Sequence, residues 1–163
     1  MAGKKSAGSK WEQQMVDTVK RFLEEDGWPV NWQDESDILT GFCNDCAEFD
    51  LLISCREKPE VLYFSLPKVT KIPRNCRHYE QVLQYLSEQN SVLLMGCWGV
   101  YPKRNAVTFS VSVPVCSVLT KELFSHCLSA LCCIAGGMYP KLMRIIWGDS
   151  HKKSGNPLRP SLN

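Results

Sequence analysis

The chain has 163 residues and a formal net charge of +2, with 44% hydrophobic and 22% charged residues. This length predicts one globular domain with a core of its own, and so small a net charge gives no general attraction to nucleic acid or to an anionic membrane. No apolar run approaches the length of a transmembrane helix, and the basic start MAGKKSAGSK lacks the apolar segment of a secretory signal. The sequence therefore predicts a cytoplasmic protein without a membrane partner.

The composition along the chain predicts a single domain over 10–148. Residues 1–9 are small, basic and rich in Gly and Ser, which predicts disorder, and 149–163 lack an apolar pattern, which predicts a mobile tail. The nine cysteines are odd in number and scattered, and Cys55 and Cys127 stand at core-like positions. Such thiols act as small hydrophobic side chains in a reducing compartment.

The first half of the chain predicts a helix followed by short strands. Ser9 and Glu12 form a capping box that starts the helix, apolar residues recur at helical spacing from Trp11 to Leu23, and Gly27 ends it. Strands are expected over 30–33, 38–43, 49–55 and 61–66, the first weak enough to be a loop.

The second half predicts a helix, a hairpin and a last helical region. Asn75 is the expected N-cap of the second helix, and the expected buried stripe is Tyr79, Val82, Leu83 and Leu86. Residues 91–101 and 106–115 form the hairpin, and alternation of Val and Phe with Ser and Thr in AVTFSVSVPV leaves one sheet face wet.

The last helical region opens near Thr120 and is expected to break at Gly136-Gly137, with Pro140 starting a short final piece. The order is then α-β-β-β-(β)-α-β-β-α, with the last helix in two pieces. A sheet that helices cover on one side is typical of the α+β class.

The Cys43-Asn44-Asp45-Cys46 segment is the one chemical motif by spacing. Two such thiols can bind zinc or cycle as a dithiol, but no second ligand pair is evident and no helix N-terminus follows to lower a thiol pKa. Asn44-Asp45 suits a tight turn, so a hairpin turn is favoured. A metal- or thiol-dependent protein using Cys43 and Cys46 stays as the alternative.

No catalytic constellation, metal site or cofactor motif is otherwise predicted. The three histidines lie apart, and no phosphate loop, nucleophile elbow or zinc-protease motif occurs. The cations from Lys68 to Arg77 are expected to be a solvated loop, so nucleic acid is not expected as a partner. We predict neither an enzyme nor a cofactor.

Four apolar side chains are the candidate contacts for a protein partner. Tyr63 and Phe64 make one strand apolar on both faces, and Trp98 and Tyr101 lie at the end of another. Such strands in a sheet with a wet face indicate a surface covered by a partner, although flanking helices or the tail could cover it instead. We expect a non-catalytic protein-binding module of chaperone, adaptor or regulatory type.

Several segments resemble the YbjN family, whose fold is related to that of type III secretion chaperones. They span 11–148 and are Gly27-Trp28, FSLPKVTKIP, HYEQVLQYLSEQN, LLMGCWGV, AVTFSVSVPV and YPKLMRIIWG. The resemblance implies an antiparallel sheet flanked by helices and a role in binding another polypeptide. It also implies homodimers, hydrophobic grooves and strand addition, and it carries no catalytic residues over to this chain.

Overall fold

The computed structural model describes residues 8–115 and 118–148. The elements in chain order are α1 (Lys10–Glu25), β1 (Trp32–Gln33), β2 (Asp37–Cys43), β3 (Glu48–Arg56), β4 (Val61–Lys71), α2 (Tyr79–Val92), β5 (Cys97–Tyr101), β6 (Ala106–Pro114) and α3 (Lys121–Trp147). The strands form a six-stranded antiparallel sheet in the order β1-β2-β3-β4-β6-β5. The predicted α+β class and element order are confirmed.

The helices cover one face of this sheet, and Phe124 of α3 lies at the centre of the packing. Its ring lies 5.7 Å from the ring of Phe22 in α1 and 5.7 Å from that of Phe64 in β4. On β6 the valines and Phe109 are buried on this face, while Ser112 is exposed on the other. The predicted wet face of the sheet is therefore confirmed.

The start of α1 is as the sequence predicts. The N–H of Glu12 donates to Ser9 Oγ at 3.2 Å, and the N–H of Ser9 donates to Glu12 Oε2 at 3.0 Å. Gly27 follows the helix with a φ of 72°, a left-handed conformation that glycine adopts without strain. The predictions of a disordered segment over 1–9 and a mobile tail over 149–163 lie outside the described residues, except at Gly8 and Ser9.

The second helix differs from its prediction at both ends. It begins at Tyr79 rather than after Asn75, because the preceding residues form turns in which the N–H of Cys76 donates to the C=O of Pro73. It continues to Val92, so the next strand begins at Cys97 and not at residue 91. Its buried stripe is also different.

The buried residues of α2 are Val82, Tyr85 and Leu86. Tyr79 and Leu83, which we expected to be buried, are 36% and 41% exposed. The true stripe follows i, i+3, i+4 spacing, because α2 packs along one line against β5 and α3. The prediction was wrong at Tyr79 and Leu83 and did not include the buried Tyr85.

The predicted break in the last helix is wrong, because α3 runs unbroken from Lys121 to Trp147. Gly136 serves close packing instead, since a Cβ there would lie 2.6 Å from Asn44 Nδ2 in the β2–β3 turn. Pro140 lies inside the helix, and buried residues from Phe124 to Ile146 hold both halves against the core.

Helix α3 is also long and apolar enough to cross a membrane by length and composition, which the sequence analysis did not anticipate. The core helix of a globular domain meets the same criterion. The buried residues of α3 recur along its length and face the sheet: Phe124, Cys127, Leu128, Leu131, Ala135, Met138, Leu142 and Ile146. This spacing places one face of α3 in the core of the domain.

Candidate functional site

Two of the four predicted contact residues lie inside the fold. Trp98 is 3% exposed and Phe64 is 1% exposed. The ring of Trp98 packs 4.7 Å from that of Phe109, its partner across β5 and β6, and Phe64 packs on Phe124. The premise that these two side chains are exposed is wrong, because strand alternation places both on the helix-covered face.

The other two, Tyr63 and Tyr101, lie on the open face of the sheet and are 38% and 46% exposed. They do not form one patch. Tyr63 pairs with Ser112 of β6 and Tyr101 pairs with Ala106 of β6, so their backbone positions lie about 20 Å apart along the strand direction at 3.4 Å per residue. Their role as contact residues stays a prediction.

Cys43 and Cys46 flank a hairpin turn, as predicted. Asn44 Oδ1 accepts the N–H of Cys46 at 2.9 Å and of Ala47 at 2.8 Å, and the N–H of Asn44 donates to the C=O of Ala47 at 2.9 Å. Both thiols are exposed. Within residues 8–115 and 118–148, no group of three or more His, Cys, Asp or Glu side chains is placed to hold a metal ion.

The cysteines differ in how readily they can react. Burial raises the pKa of the Cys55 thiol to about 12 and that of Cys132 to about 12, with Cys133 adding to the second shift. Because the thiolate is the nucleophile, we expect iodoacetamide at pH 8 to modify Cys55 and Cys132 only after unfolding. Mass spectrometry of native and unfolded samples measures this, and native labelling of Cys55 would contradict the burial.

A gap in the sheet is the feature that the sequence did not indicate. The β3–β4 ladder runs from Arg56 and Val61 to Leu52 and Ser65 and then stops, although both strands continue. The first residues of β3, from Glu48 onward, therefore have β2 on one side and no strand on the other.

Proline explains where the ladder stops. The hydrogen-bonded pairs of β3 and β4 alternate along the strands, so the pair after Leu52 and Ser65 would be Asp50 and Pro67. Pro67 has no N–H and cannot donate to Asp50. Beyond this point β3 and β4 form no ladder.

A bulge in β4 follows the proline. Leu66 pairs with Phe109 and Thr70 pairs with Val107, so four steps along β4 oppose only two steps along β6. The extra residues bend β4 locally and leave part of it without pairs to β6. Pro67 and the bulge both lie in β4. The absence of pairing between β3 and β4 in this region is therefore a property of the fold.

The backbone of β3 presents polar groups to this gap. The N–H of Cys55 donates to the C=O of Ser36 beside β2 at 2.7 Å. Because successive residues of a strand direct their N–H and C=O groups to opposite sides, Glu48 and Asp50 direct theirs away from β2 and into the gap.

The backbone of β4 does the same from the other side. The N–H of Ile72 donates to the C=O of Asn105 beside β6 at 2.7 Å. By the same alternation, Val69 and Lys71 direct their backbone groups away from β6 and into the gap. Two strand edges therefore face each other without a strand between them.

The gap opens into a groove of about 920 Å³ beneath the second half of α3. This volume is at the upper end of the roughly 300–1,000 Å³ usual for ligand sites. One wall is aromatic, with Phe49 5.5 Å from Tyr139 and 4.9 Å from Phe42 between ring centroids. The apolar lining residues are Phe42, Phe49, Val69, Tyr139, Met143 and Trp147.

The two edges of the groove carry charged side chains of both signs. Glu48 and Asp50 line the β3 side, and Lys68 and Lys71 line the β4 side. All four side chains are exposed. Two carboxylates and two ammonium groups cancel, so the groove attracts neither a polyanion nor a polycation.

The thiols of the hairpin turn belong to the same groove, because Cys43 and Cys46 are among its lining residues. On α3, Met143 closes the groove, and Thr70 Oγ1 of β4 lies 3.4 Å from its sulfur. The sequence placed the two cysteines in a turn. It did not indicate that this turn borders a groove.

The chain is similar to a solved structure, but no sequence comparison matches it. No protein-family model matches it, and no curated protein matches it. A chain of the solved HopA1–SchA chaperone–effector complex is similar, with 16% identity, 81% of this chain and 98% of that chain covered, and a TM-score of 0.57. This chain has a chaperone-like fold. The YbjN resemblance has no matching family model behind it and stays a prediction.

Proposed function

We propose that the protein is a non-catalytic protein-binding module of chaperone or adaptor type, and that its site is the groove beside β3 and β4. The observation that carries the proposal is an apolar groove bordered by two strand edges whose backbone groups face no strand. Apolar lining and backbone donors and acceptors are what an extended polypeptide needs for binding.

The fold supports the same function, because the similar chain comes from a chaperone–effector complex. The finer parts of the proposal are kinship with the YbjN family, a homodimeric state, and contacts through Tyr63 and Tyr101 on the open face. No observation favours the thiol- or metal-dependent alternative over protein binding, since Cys43 and Cys46 have no third ligand beside them among the described residues.

Selective blocking of the groove tests this function. In a Cys97→Ser/Cys116→Ser/Cys133→Ser variant, a bulky maleimide reagent modifies the exposed thiols Cys43 and Cys46 at the groove. We expect this modification to lower the affinity for reduced and carboxymethylated α-lactalbumin, an unfolded chain, at least about tenfold, a loss of about 1.4 kcal/mol. Fluorescence anisotropy measures the affinity.

The matched control is the Cys43→Ser/Cys46→Ser/Cys116→Ser variant, in which the same reagent modifies the exposed Cys97 and Cys133, which do not line the groove. We expect this labelled control to bind as the unlabelled protein does. Equal loss in both variants would place binding elsewhere, and no binding by the unlabelled protein would contradict the proposed function.

A further inference from the structure

We propose that one end of the domain binds a single-stranded nucleic acid. The surface consists of six exposed basic side chains, which we name the basic end, and of exposed tyrosines beside them. The six are Arg74, Arg77, Lys103, Arg104, Lys141 and Arg144. This inference goes beyond the proposed function, because none of the six lines the groove beside β3 and β4.

Charge is unevenly distributed in this protein, although its net charge is only +2. Residues 61–115 contain six lysines and arginines but only two acidic residues, Glu80 and Glu88. Two of these cations, Lys68 and Lys71, line the groove, and the other four belong to the basic end. A surface of one sign attracts an oppositely charged partner even where the whole protein is nearly neutral.

The connector between β4 and α2, over 72–78, lies beside the β5–β6 turn over 102–105. The N–H of Ile72 donates to the C=O of Asn105 at 2.7 Å. We expected the cations of the connector to be a solvated loop. The fold adds to its two arginines the lysine and the arginine of the turn, which is distant in sequence.

The other side of the connector lies against the end of α3. The thiol of Cys76 donates to the C=O of Ile146 with an Sγ–O distance of 3.8 Å. His78, which precedes α2, lines a cleft of about 330 Å³ together with Lys141 and Arg144 of α3. Basic side chains of the turn, the connector and α3 therefore lie at one end of the domain.

The side chains of the basic end have no carboxylate partners. Lys20, Arg56 and Lys121, which lie elsewhere, each form an ion pair with an Asp or Glu. In the part of the chain that the structure describes, no ion pair involves a side chain of the basic end. These cations are therefore available to the phosphates of a partner.

Exposed aromatic rings lie among these cations. Tyr101 ends β5 and is 46% exposed, and the guanidinium carbon of Arg104 lies 5.8 Å from the centroid of its ring. Tyr79, the first residue of α2, is 36% exposed and follows the connector. Proteins that bind single strands combine cations along the phosphates with aromatic rings on which unpaired bases stack.

The exposed rings favour a single strand over other anionic partners. A duplex keeps the faces of its bases stacked on one another, and an acidic polypeptide or an anionic bilayer has no bases. Each of these would use the cations and leave the tyrosines without a stacking partner. A single strand uses both, so the partner is a phosphodiester chain with unpaired bases.

The salt dependence of binding is the first test. The probe is a fluorescein-labelled oligonucleotide of fifteen thymidines, and fluorescence anisotropy measures its affinity. Contacts from about four cations give a slope of about −2.8 in log affinity against log salt, so we expect binding to weaken about fiftyfold between 50 and 200 mM KCl. No binding at 50 mM KCl, or binding that does not change with salt, would overturn the proposal.

Two charge-reversal variants locate the binding surface. Arg74→Glu/Arg77→Glu should bind the oligonucleotide at least about tenfold more weakly. The control Lys10→Glu/Lys58→Glu has the same net charge but changes exposed residues outside the basic end, and its affinity should fall less than about threefold. Equal affinities of the two variants would overturn the proposal.

Circular dichroism checks that these variants fold. If Arg74→Glu/Arg77→Glu does not fold, Lys103→Glu/Arg104→Glu makes the same change on the β5–β6 turn. We expect the same loss of at least about tenfold. Unchanged affinity of this folded variant would equally overturn the proposal.

Removal of the bases tests the stacking. An abasic strand with the same number of phosphates should bind at least about fivefold more weakly than the thymidine strand. Tyr101→Ala should weaken binding of the thymidine strand by a similar factor and leave binding of the abasic strand unchanged. Equal affinities for the two strands mean that the basic end binds phosphate without bases, which overturns the proposal.

Other anionic partners provide the last comparison. A peptide of fifteen glutamates and phosphatidylserine vesicles are measured at the same salt concentration. We expect both to bind more weakly than the thymidine strand. Tighter binding of the peptide would assign the basic end to an acidic polypeptide, and tighter binding of the vesicles would assign it to a membrane surface. Either result overturns the proposal.

Discussion

Replacing Phe124 with alanine is expected to lower the free energy of unfolding by about 3–5 kcal/mol, since loss of a buried aromatic ring leaves a cavity that the core cannot refill. Phe124 is 1% exposed, and its ring contacts Phe22 of α1 and Phe64 of β4. One substitution therefore loosens the packing of two helices on the sheet. In a chain of this size the midpoint of thermal unfolding should fall by roughly 6–20 °C.

The control is the neighbouring residue on the same helix. Leu123 is 44% exposed, so Leu123→Ala should change the unfolding free energy by less than about 0.5 kcal/mol. Chemical denaturation monitored by circular dichroism measures both variants. Similar losses for Leu123→Ala and Phe124→Ala would contradict the packing of α3 described above.

Replacing Trp98 with alanine is expected to destabilise the domain by about 3–5 kcal/mol rather than only weaken partner binding. Trp98 is 3% exposed and packs on Phe109. Its backbone accepts from and donates to the side chain of Asn90 at 2.9 and 2.7 Å, which ties the end of α2 to β5. Removal of the indole would leave the hydrogen-bonded contact between α2 and β5 without the apolar ring that packs beside it.

Two variants separate this packing role from a binding role. Trp98→Phe keeps a ring on Phe109 and removes an indole N–H that has no hydrogen-bond partner among the described residues, so its cost should stay below about 1.5 kcal/mol. Tyr101→Ala removes a ring that is 46% exposed and should leave the unfolding free energy nearly unchanged. A stable, folded Trp98→Ala would contradict the burial of this side chain.

Local patterns in the sequence predicted most of the elements. The capping box at Ser9 and the alternation in β6 each involve only residues that are close in sequence. The start of α1 and the wet face of the sheet could therefore be derived without knowledge of the fold. The errors came from tertiary packing. Gly136 indicates a break when read alone, yet it serves the close approach of Asn44 from a distant turn.

The candidate site depends on the register between β3 and β4, and residues that are neighbours in sequence do not determine this register. Pro67 in the segment FSLPKV was visible as a residue that interrupts a ladder, but its significance comes from Asp50, seventeen positions earlier, standing opposite it. Trp98 and Phe64 were predicted as contacts for a similar reason. An apolar residue on a strand is compatible with either face until its cross-strand neighbours are known.

The central claim is that the edges of β3 and β4 stand open and take up a partner segment. Amide hydrogen exchange measured residue by residue by NMR, with and without reduced and carboxymethylated α-lactalbumin, tests it most directly. We predict that the amides of Glu48, Asp50, Val69 and Lys71 exchange fast in the free protein and become protected when the unfolded chain binds, while that of Leu51, which faces β2, stays protected throughout. Slow exchange at those four amides in the free protein, or no protection on binding, would contradict it.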